Sequence, residues 1–565
     1  MSPSSPVPRT GGQLLVQGLV ANGVSHVFSV PGESFLGALD ALYDAQNAIR
    51  LVVCRQEGGA AYMAEAYGKL TGRPGVAFVT RGPGATNASV GVHTAFQDST
   101  PMILLIGQIA RGTRDREAFQ EVDFRRMYGP LAKWVAEIDD AARVPEYMSR
   151  AFHVALSGRP GPVVLAIPED VLTETAAVED VGPARVPVAH PDPAAMAGLR
   201  DLLARARKPL MIVGGGGWSA EASRDIQVFA TANNLPVGCA FRRQDSFDNR
   251  DDHYIGDIGV AVSPKLAARV RQADLVLAVG PRLGEMTTSG YTLLKPPAPA
   301  QKLIHVLPDP DELNSVYKAE LAIVSGLAPF AAALRALTPV AHAAWDEWTQ
   351  AARKDYLEYL KPLPIPGSVQ MAEIVAYLNR TLPKESIVTN GAGNFAVWAH
   401  RFYQFSRYGT QLGPTSGSMG YGVPSAVAAK ILEPGRTVVS FSGDGCFLMN
   451  GQELATAVAY GASAIFIVVN NGMYGTIRLH QEKRYPGRVI GTELRNPDFA
   501  QLARAYGANG DTITRTEDFA PAFARALQSE RPTVLEIRLD PEAITPTARL
   551  ADVRAEALAG QAPKD

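Results

Sequence analysis

Cysteine is scarce in this chain. Cys54, Cys239 and Cys446 are the only three among 565 residues, too far apart in sequence for a metal-ligand knuckle or a disulfide framework. Such usage fits a reducing compartment and a cytoplasmic location. Charge of one sign is lacking too. Lys and Arg number 54 against 56 Asp and Glu, which excludes the basic footprint of a nucleic-acid partner. Long apolar runs are also missing. Stretches such as Met102 to Ile106 and Ile465 to Val469 fall far short of the roughly 20 residues that span a bilayer. No apolar segment follows a charged start, so neither a membrane span nor a secretory signal is expected. What remains is 46% hydrophobic and 19% charged, the composition of a folded globular chain.

Apolar runs alternate with helical patterns through the first 175 residues. Val27 to Val30, Leu51 to Cys54, Val76 to Val79, Ile103 to Ile106 and Val163 to Ile167 read as strands buried on both faces, with helices around 60–70 and 86–97 between them. This pattern predicts a parallel sheet covered by helices. A Pro-rich linker follows, from Thr173 to Pro193. The alternation then resumes twice, with strands at 209–213, 275–279 and 303–306, and after the Pro-rich break 361–366 at 386–389, 437–441, 464–469 and 533–537. The predicted fold is α/β, with three doubly wound parallel-sheet domains at 11–175, 191–340 and 366–545 and a poorly ordered tail at 546–565. In such sheets ligands bind at the carboxyl ends of the strands.

One such edge is rich in chemistry. Gly443-Asp444-Gly445-Cys446 follows a strand, and Asn470-Asn471-Gly-Met473-Tyr474-Gly475 follows the next. A strand–helix–strand unit returns both ends to the same side, so Asp444 and Asn471 converge although 27 positions apart. A carboxylate and an amide oxygen suit Mg²⁺ whose remaining positions are filled by water and phosphate oxygens. The flanking glycines admit a diphosphate close to the backbone.

Gly-Asp-Gly followed at this distance by Asn-Asn resembles the signature of the thiamine-diphosphate enzymes, and the acetolactate-synthase branch most. The resemblance runs from about residue 11 to 545. It implies Mg²⁺ held by Asp444, Asn471 and the backbone carbonyl of Met473. It implies that Glu57, at the start of a small-residue helix, is the acid that activates the aminopyrimidine. Glu65, two turns on, reads as structural. Thr80-Arg-Gly-Pro83-Gly-Ala-Thr-Asn87 is similar to the family's pyrimidine-side loop, which brings Thr80, Pro83 and Asn87 to the cofactor. Ala392, Gly393, Asn394 and Phe395 resemble the first diphosphate loop. Gly417 and Met419 resemble the segment that bends the cofactor, with Met419 wedged between its rings. The two halves of the cofactor site belong to different subunits in the family, so the resemblance implies a homodimer or homotetramer with active sites at the interface.

Phe119 and Gln120, in Ala118-Phe-Gln-Glu121, are similar to the branch's active-site entrance and are candidates for substrate contact. Three departures stand out. Glu33 replaces a glycine of Tyr-Pro-Gly-Gly and places a carboxylate near the reacting centre, where it repels an anionic substrate unless protonated or paired. His480 stands where the branch has a tryptophan that shapes the acceptor site. Arg282-Leu-Gly-Glu-Met286 lacks the second arginine of the carboxylate clamp. In the central domain the family often binds FAD or ADP. Gly214–Gly217 resembles a nucleotide loop only superficially, and Leu307-Pro308 interrupts the usual ribose-binding strand end.

The resemblance therefore implies a thiamine-diphosphate- and Mg²⁺-dependent decarboxylase or carboligase acting on a 2-keto acid and a carbonyl acceptor. Glu33 and the missing clamp motivate an alternative, cleavage of a diketone or a 2-hydroxyacyl thioester. A flavin-dependent oxidase and a non-catalytic subunit are the remaining readings. The second of these predicts loss of Glu57 or the metal ligands, and all are present.

Overall fold

The apolar runs become strands of three six-stranded parallel sheets in the computed structural model, which describes residues 7–341 and 344–561. All are inner strands except the run Leu51–Cys54, read as buried on both faces, which becomes edge strand Arg50–Val53 with only Val52 buried because no strand flanks it on one side. The first sheet runs Arg50–Val53, His26–Ser29, Gly75–Val79, Met102–Gln108, Pro162–Pro168, Trp134–Glu137. The second runs Tyr254–Ile258, Val237–Ala240, Pro209–Val213, Leu275–Val279, Lys302–Leu307, Leu321–Val324. The third runs Gln411–Leu412, Ile387–Asn390, Val438–Gly443, Ile465–Asn470, Thr533–Arg538, Asn509–Ile513. Strand Lys302–Leu307 stops at the residue before Pro308, whose ring cannot donate to a ladder.

The described residues form two compact units, one ending at Val188 and one beginning at Ala189. The boundary falls inside the Pro-rich stretch read as a linker. The second Pro-rich break, around 361–366, separates no unit: the second and third sheets share one. Several polar contacts hold them. The carboxylate of Asp245, beyond a second-sheet strand, accepts from the amides of Gly409, Thr410 and Gln411 at 3.0, 3.1 and 3.2 Å.

Helix Glu57–Thr71 carries alanines and glycines for a packing reason. A Cβ at Gly91, on helix Pro83–Asp98, would lie 2.4 Å from the Ala61 Cβ, and one at Gly75 would lie 1.8 Å from the Ala64 carbonyl oxygen. Larger side chains on these faces would force the backbones apart. Glu65 is structural, as expected: it is buried, accepts from Thr100 at 2.8 Å and pairs with Lys69, which also pairs with Asp98.

The tail differs from expectation as far as residue 561; residues 562–565 lie outside the described residues. Leu550–Gln561 is a helix. Leu550 and Val553 bury against Leu479 and Ile544, and Arg554 pairs with the buried carboxylate of Glu482. The mixed charges that suggested disorder are partners of helix Gly475–Arg484.

Candidate active site

In the second unit, the carboxyl ends of strands Ile387–Asn390, Val438–Gly443 and Ile465–Asn470 open on a cleft of about 230 Å³. Ala392, Gly393, Asn394, Phe395, Gly417, Met419, Gly443, Asp444, Gly445, Cys446, Asn471, Met473, Tyr474 and Gly475 all line it. Every residue that sequence reasoning assigned to this half of a cofactor site is therefore brought together.

Asp444 is 3% exposed. Its Oδ1 accepts from the Gly445 amide at 2.9 Å, and its Oδ2 from the Gly472 amide at 2.9 Å and from Asn496 at 2.8 Å. Burial nevertheless raises its carboxyl above the ordinary range, because desolvation outweighs these donors. Among the described residues no three His, Cys, Asp or Glu side chains gather as metal ligands. A single desolvated carboxylate flanked by amide and carbonyl oxygens is a donor set for a hard divalent cation completed by phosphate oxygens. Close packing requires glycine at two points of these loops: a Cβ at Gly445 would lie 2.5 Å from the Tyr474 ring, and one at Gly391 2.2 Å from the Cys446 sulfur. Mg²⁺ and a diphosphate suit these residues.

Asn496 is the residue the sequence did not disclose. It bridges Asp444 and the Asn470 side-chain oxygen, 2.9 Å away. Its neighbours also steady the loop: Leu494 donates to the Gly472 carbonyl, and Tyr474 to that of Thr492. The irregular stretch before it gives no periodic signal. Ala543 and Ile544, from the supposed tail, line the cleft as well. Asn394 points its amide at the Ile544 carbonyl, 3.0 Å, and accepts from Thr476 at 2.6 Å, so its side chain ties loops together. His480 is exposed and is not among the lining residues, whereas Thr476 and Ile477 are.

The first unit gathers the other set. Glu57 begins helix Glu57–Thr71, and its Oε2 accepts from the Asn87 amide at 3.0 Å. Gly84 sits beside it: a Cβ there would lie 3.4 Å from Glu57 Oε1 and 2.8 Å from Thr80. Thr80 shares a hydrogen bond with Ser34 at 2.8 Å. Pro83 and Asn87 are exposed on helix Pro83–Asp98. Arg81, 7% exposed, answers the question posed by Glu33. It donates to Glu33 at 3.1 Å, to Glu169 at 3.2 Å and to the Phe119 carbonyl at 3.2 Å. Glu33 is thus paired, and the Phe119–Gln120 loop is pinned to the same guanidinium. Gln120 adopts a left-handed backbone (φ 64°) and presses on Gly82, where a Cβ would meet it at 2.8 Å. Phe119 itself is 72% exposed. Glu121 closes the loop by accepting from the amides of Asp115 and Ala118, which lower its carboxyl below the usual range.

The central sheet offers no comparable cradle in its glycine loop. Trp218 closes the turn by donating to the Gly214 carbonyl at 2.7 Å, and a Cβ on Gly215 would lie 2.0 Å from the Gly280 carbonyl oxygen. Close packing accounts for these glycines, and the FAD or ADP expected of this domain finds no support in them.

Comparison with known proteins gives consistent results. The family models described as the N-terminal TPP binding domain, the central domain and the C-terminal TPP binding domain of thiamine pyrophosphate enzymes match residues 9–127, 196–337 and 391–537. The acetolactate synthase large subunit of Parasynechococcus marenigrum is 33% identical over 95% of this chain and 88% of its own length. The acetolactate synthase isozyme 2 large subunit of Escherichia coli is 32% identical over 94% of this chain and 95% of its own. The acetolactate synthase large subunit of Corynebacterium glutamicum is 32% identical over 94% and 87%.

Proposed function

The chain belongs to the thiamine pyrophosphate enzymes, among relatives of the acetolactate synthase large subunit, and on that premise we propose that it is a thiamine-diphosphate- and Mg²⁺-dependent decarboxylase and carboligase of 2-keto acids. The observation that carries this is the cleft in which five separated chain segments meet beside one desolvated carboxylate, Asp444. In this reading Asp444, Asn471 and the Met473 carbonyl hold the metal, residues 392–395 and 443–446 hold the diphosphate, and Met419 fixes the bend.

Thiamine diphosphate, when bound, would supply a carbanion nucleophile and an electron sink for decarboxylation. Glu57 holds a proton opposite N1′ of the pyrimidine. Asn87 donates to Glu57 Oε2, and Glu57 Oε1 lies beside Gly84. Arg81 neutralises Glu33, so an anionic substrate meets an ion pair rather than a bare carboxylate. The same contact weakens the charge argument for a diketone or acyl-thioester substrate. Gln120 and Phe119 steer the substrate from the pinned loop, and His480 contributes from the helix surface if the acceptor reaches it.

The exposed face of helix Pro83–Asp98, with Pro83, Asn87 and Val90, supports completion of each site by a second copy of the chain. The scarcity of cysteine supports a cytoplasmic location, and no helix among the described residues is long and apolar enough to cross a membrane. Calorimetric titration with thiamine diphosphate and Mg²⁺, followed by assay of CO₂ and acetolactate from pyruvate, tests the reading. Saturable binding lost in Asp444→Ala is expected. Absence of binding by the unaltered protein rejects it.

A further inference from the structure

The segment Arg242–Asp245 leaves strand Val237–Ala240 of the second sheet and enters the third. Its contacts fall into two groups. Gln244 and Asp245 grip edge strand Gln411–Leu412 and its approach: the Gln244 amide donates to the Gln411 side chain at 2.7 Å, its side chain donates to the His400 carbonyl at 2.7 Å, and Asp245 takes three backbone amides. These bonds join one sheet to the other.

Arg242 does something different. Its guanidinium donates to the carbonyl of Gly391, at 3.0 Å, and to that of Pro414. Gly391 opens the loop whose next residues, Ala392–Phe395, line the cleft, and Pro414 opens the segment that reaches Gly417 and Met419. Both carbonyls lie just beyond strands Ile387–Asn390 and Gln411–Leu412, where the sheet ladder ends. Arg242 thus spans the roots of the two cofactor loops from behind. Three further features mark the position. The residue is 5% exposed, so its charge is desolvated. Its backbone is left-handed (φ 58°), a conformation that an arginine adopts only under constraint. Gly413 is packed under it: a Cβ there would lie 3.2 Å from the Arg242 side chain and 2.9 Å from Asn390 Oδ1.

We propose that Arg242, a residue of the central domain, is a positioning residue for the coenzyme: one planar guanidinium sets the spacing between the diphosphate loop and the loop that bends the cofactor. The inference rests on the function proposed above and assigns the central domain a role in coenzyme binding that needs no nucleotide of its own. A planar fork is suited to this because two donors at fixed separation hold two acceptors at fixed separation, which a lysine cannot do.

Trp398 lines the cleft and provides a binding signal that does not depend on turnover. The full-length protein, freed of cofactor, is titrated with thiamine diphosphate at saturating Mg²⁺ while tryptophan emission is followed. Arg242→Met is expected to raise the apparent Kd at least about tenfold, and Arg242→Lys, which reaches one carbonyl, to raise it by a smaller factor. Asp245→Asn, in the docking half of the same segment, is expected to lower the thermal midpoint of the apo protein while moving the Kd less than about threefold. Arg242→Met or Arg242→Lys binding with the unaltered Kd overturns the proposal. So does an equal loss of affinity in Asp245→Asn, which would reduce Arg242 to part of a general domain contact. If Arg242→Met does not fold, Arg242→Lys alone decides between these outcomes. Failure of the unaltered protein to bind is a failure of the proposed function, and is distinct from all of these.

Discussion

The two polar assemblies in this chain are built on the same kind of sheet edge and in opposite styles. In the first unit the candidate side chains other than the buried Arg81 are open: Asn87 is exposed beside Glu57, Glu33 is 67% exposed, and Phe119 is 72% exposed. In the second, Asp444 is 3% exposed, Cys446 2%, and Asn496 is spent on internal bonds. Open groups keep their protons mobile and their rotamers adjustable. Enclosed ones are fixed in geometry and charge, as a metal and a diphosphate require. The difference separates proton handling from anchoring.

That division can be broken most directly at Glu57. Glu57→Gln is expected to cut turnover by about 10²–10⁴, while the coenzyme Kd read from Trp398 emission changes by less than about fivefold. A matching collapse of affinity would put anchoring in the open half as well.

The next effect is one of pH. His400, in the enclosed unit, is held neutral by burial and then by the nearby Arg242 charge, which push its pKa down to about 3. The unfolded imidazole takes a proton near 6.5 and the folded one resists, so falling pH favours the unfolded chain. This contribution is intact above pH 6.5 and is lost progressively from 6.5 toward 3, at up to about 1.4 kcal/mol per pH unit. Thermal midpoints of the apo protein between pH 7.5 and 4.5, compared with those of His400→Gln, should show a shallower acid slope in the variant.

A paired substitution sharpens the contrast at smaller scale. Asn496→Ala strips a part-buried donor from the buried Asp444 and from Asn470 and should cost about 1–3 kcal/mol of stability. Asn87→Ala removes an exposed bond to Glu57 and should stay within about 0.5 kcal/mol, its effect appearing in turnover. Denaturant titration of both settles whether the two halves differ as described. Smallest of all, Glu33→Gln breaks a part-buried pair in which the carboxylate is exposed and Arg81 keeps Glu169 as a partner, so stability should move by about 1 kcal/mol or less. The KM for pyruvate then reports whether Arg81, freed of that partner, draws the substrate carboxylate.

Legibility followed burial. The inner strands were readable as apolar runs because both faces are covered. Among the strands missed, Trp134–Glu137, Tyr254–Ile258, Leu321–Val324, Gln411–Leu412 and Asn509–Ile513 lie at sheet edges, and all of these but the buried Tyr254–Ile258 are partly exposed or only two residues long, while Val237–Ala240 is weakened by its glycine. The helix Leu550–Gln561 was hidden because its charges find partners only in three dimensions. On the cleft side, Asp444, Asn471 and the glycines could be found because each directly follows an apolar strand. Asn496, Ile544 and Arg242 could not, since their roles come from long-range contacts that leave no period in the chain. Arg81 was in view within its motif, but its pairing with Glu33 needed 48 intervening positions to be folded back.

The unit boundary at Val188 has a consequence for biosynthesis. Everything the first sheet needs, including its last strand Pro162–Pro168 and the ribbon pairing Thr175–Ala176 with Arg9–Thr10, is encoded before that point. The nascent chain can therefore complete its first unit while the ribosome is still translating the rest, an interval of roughly 20–75 s at 5–20 residues per second.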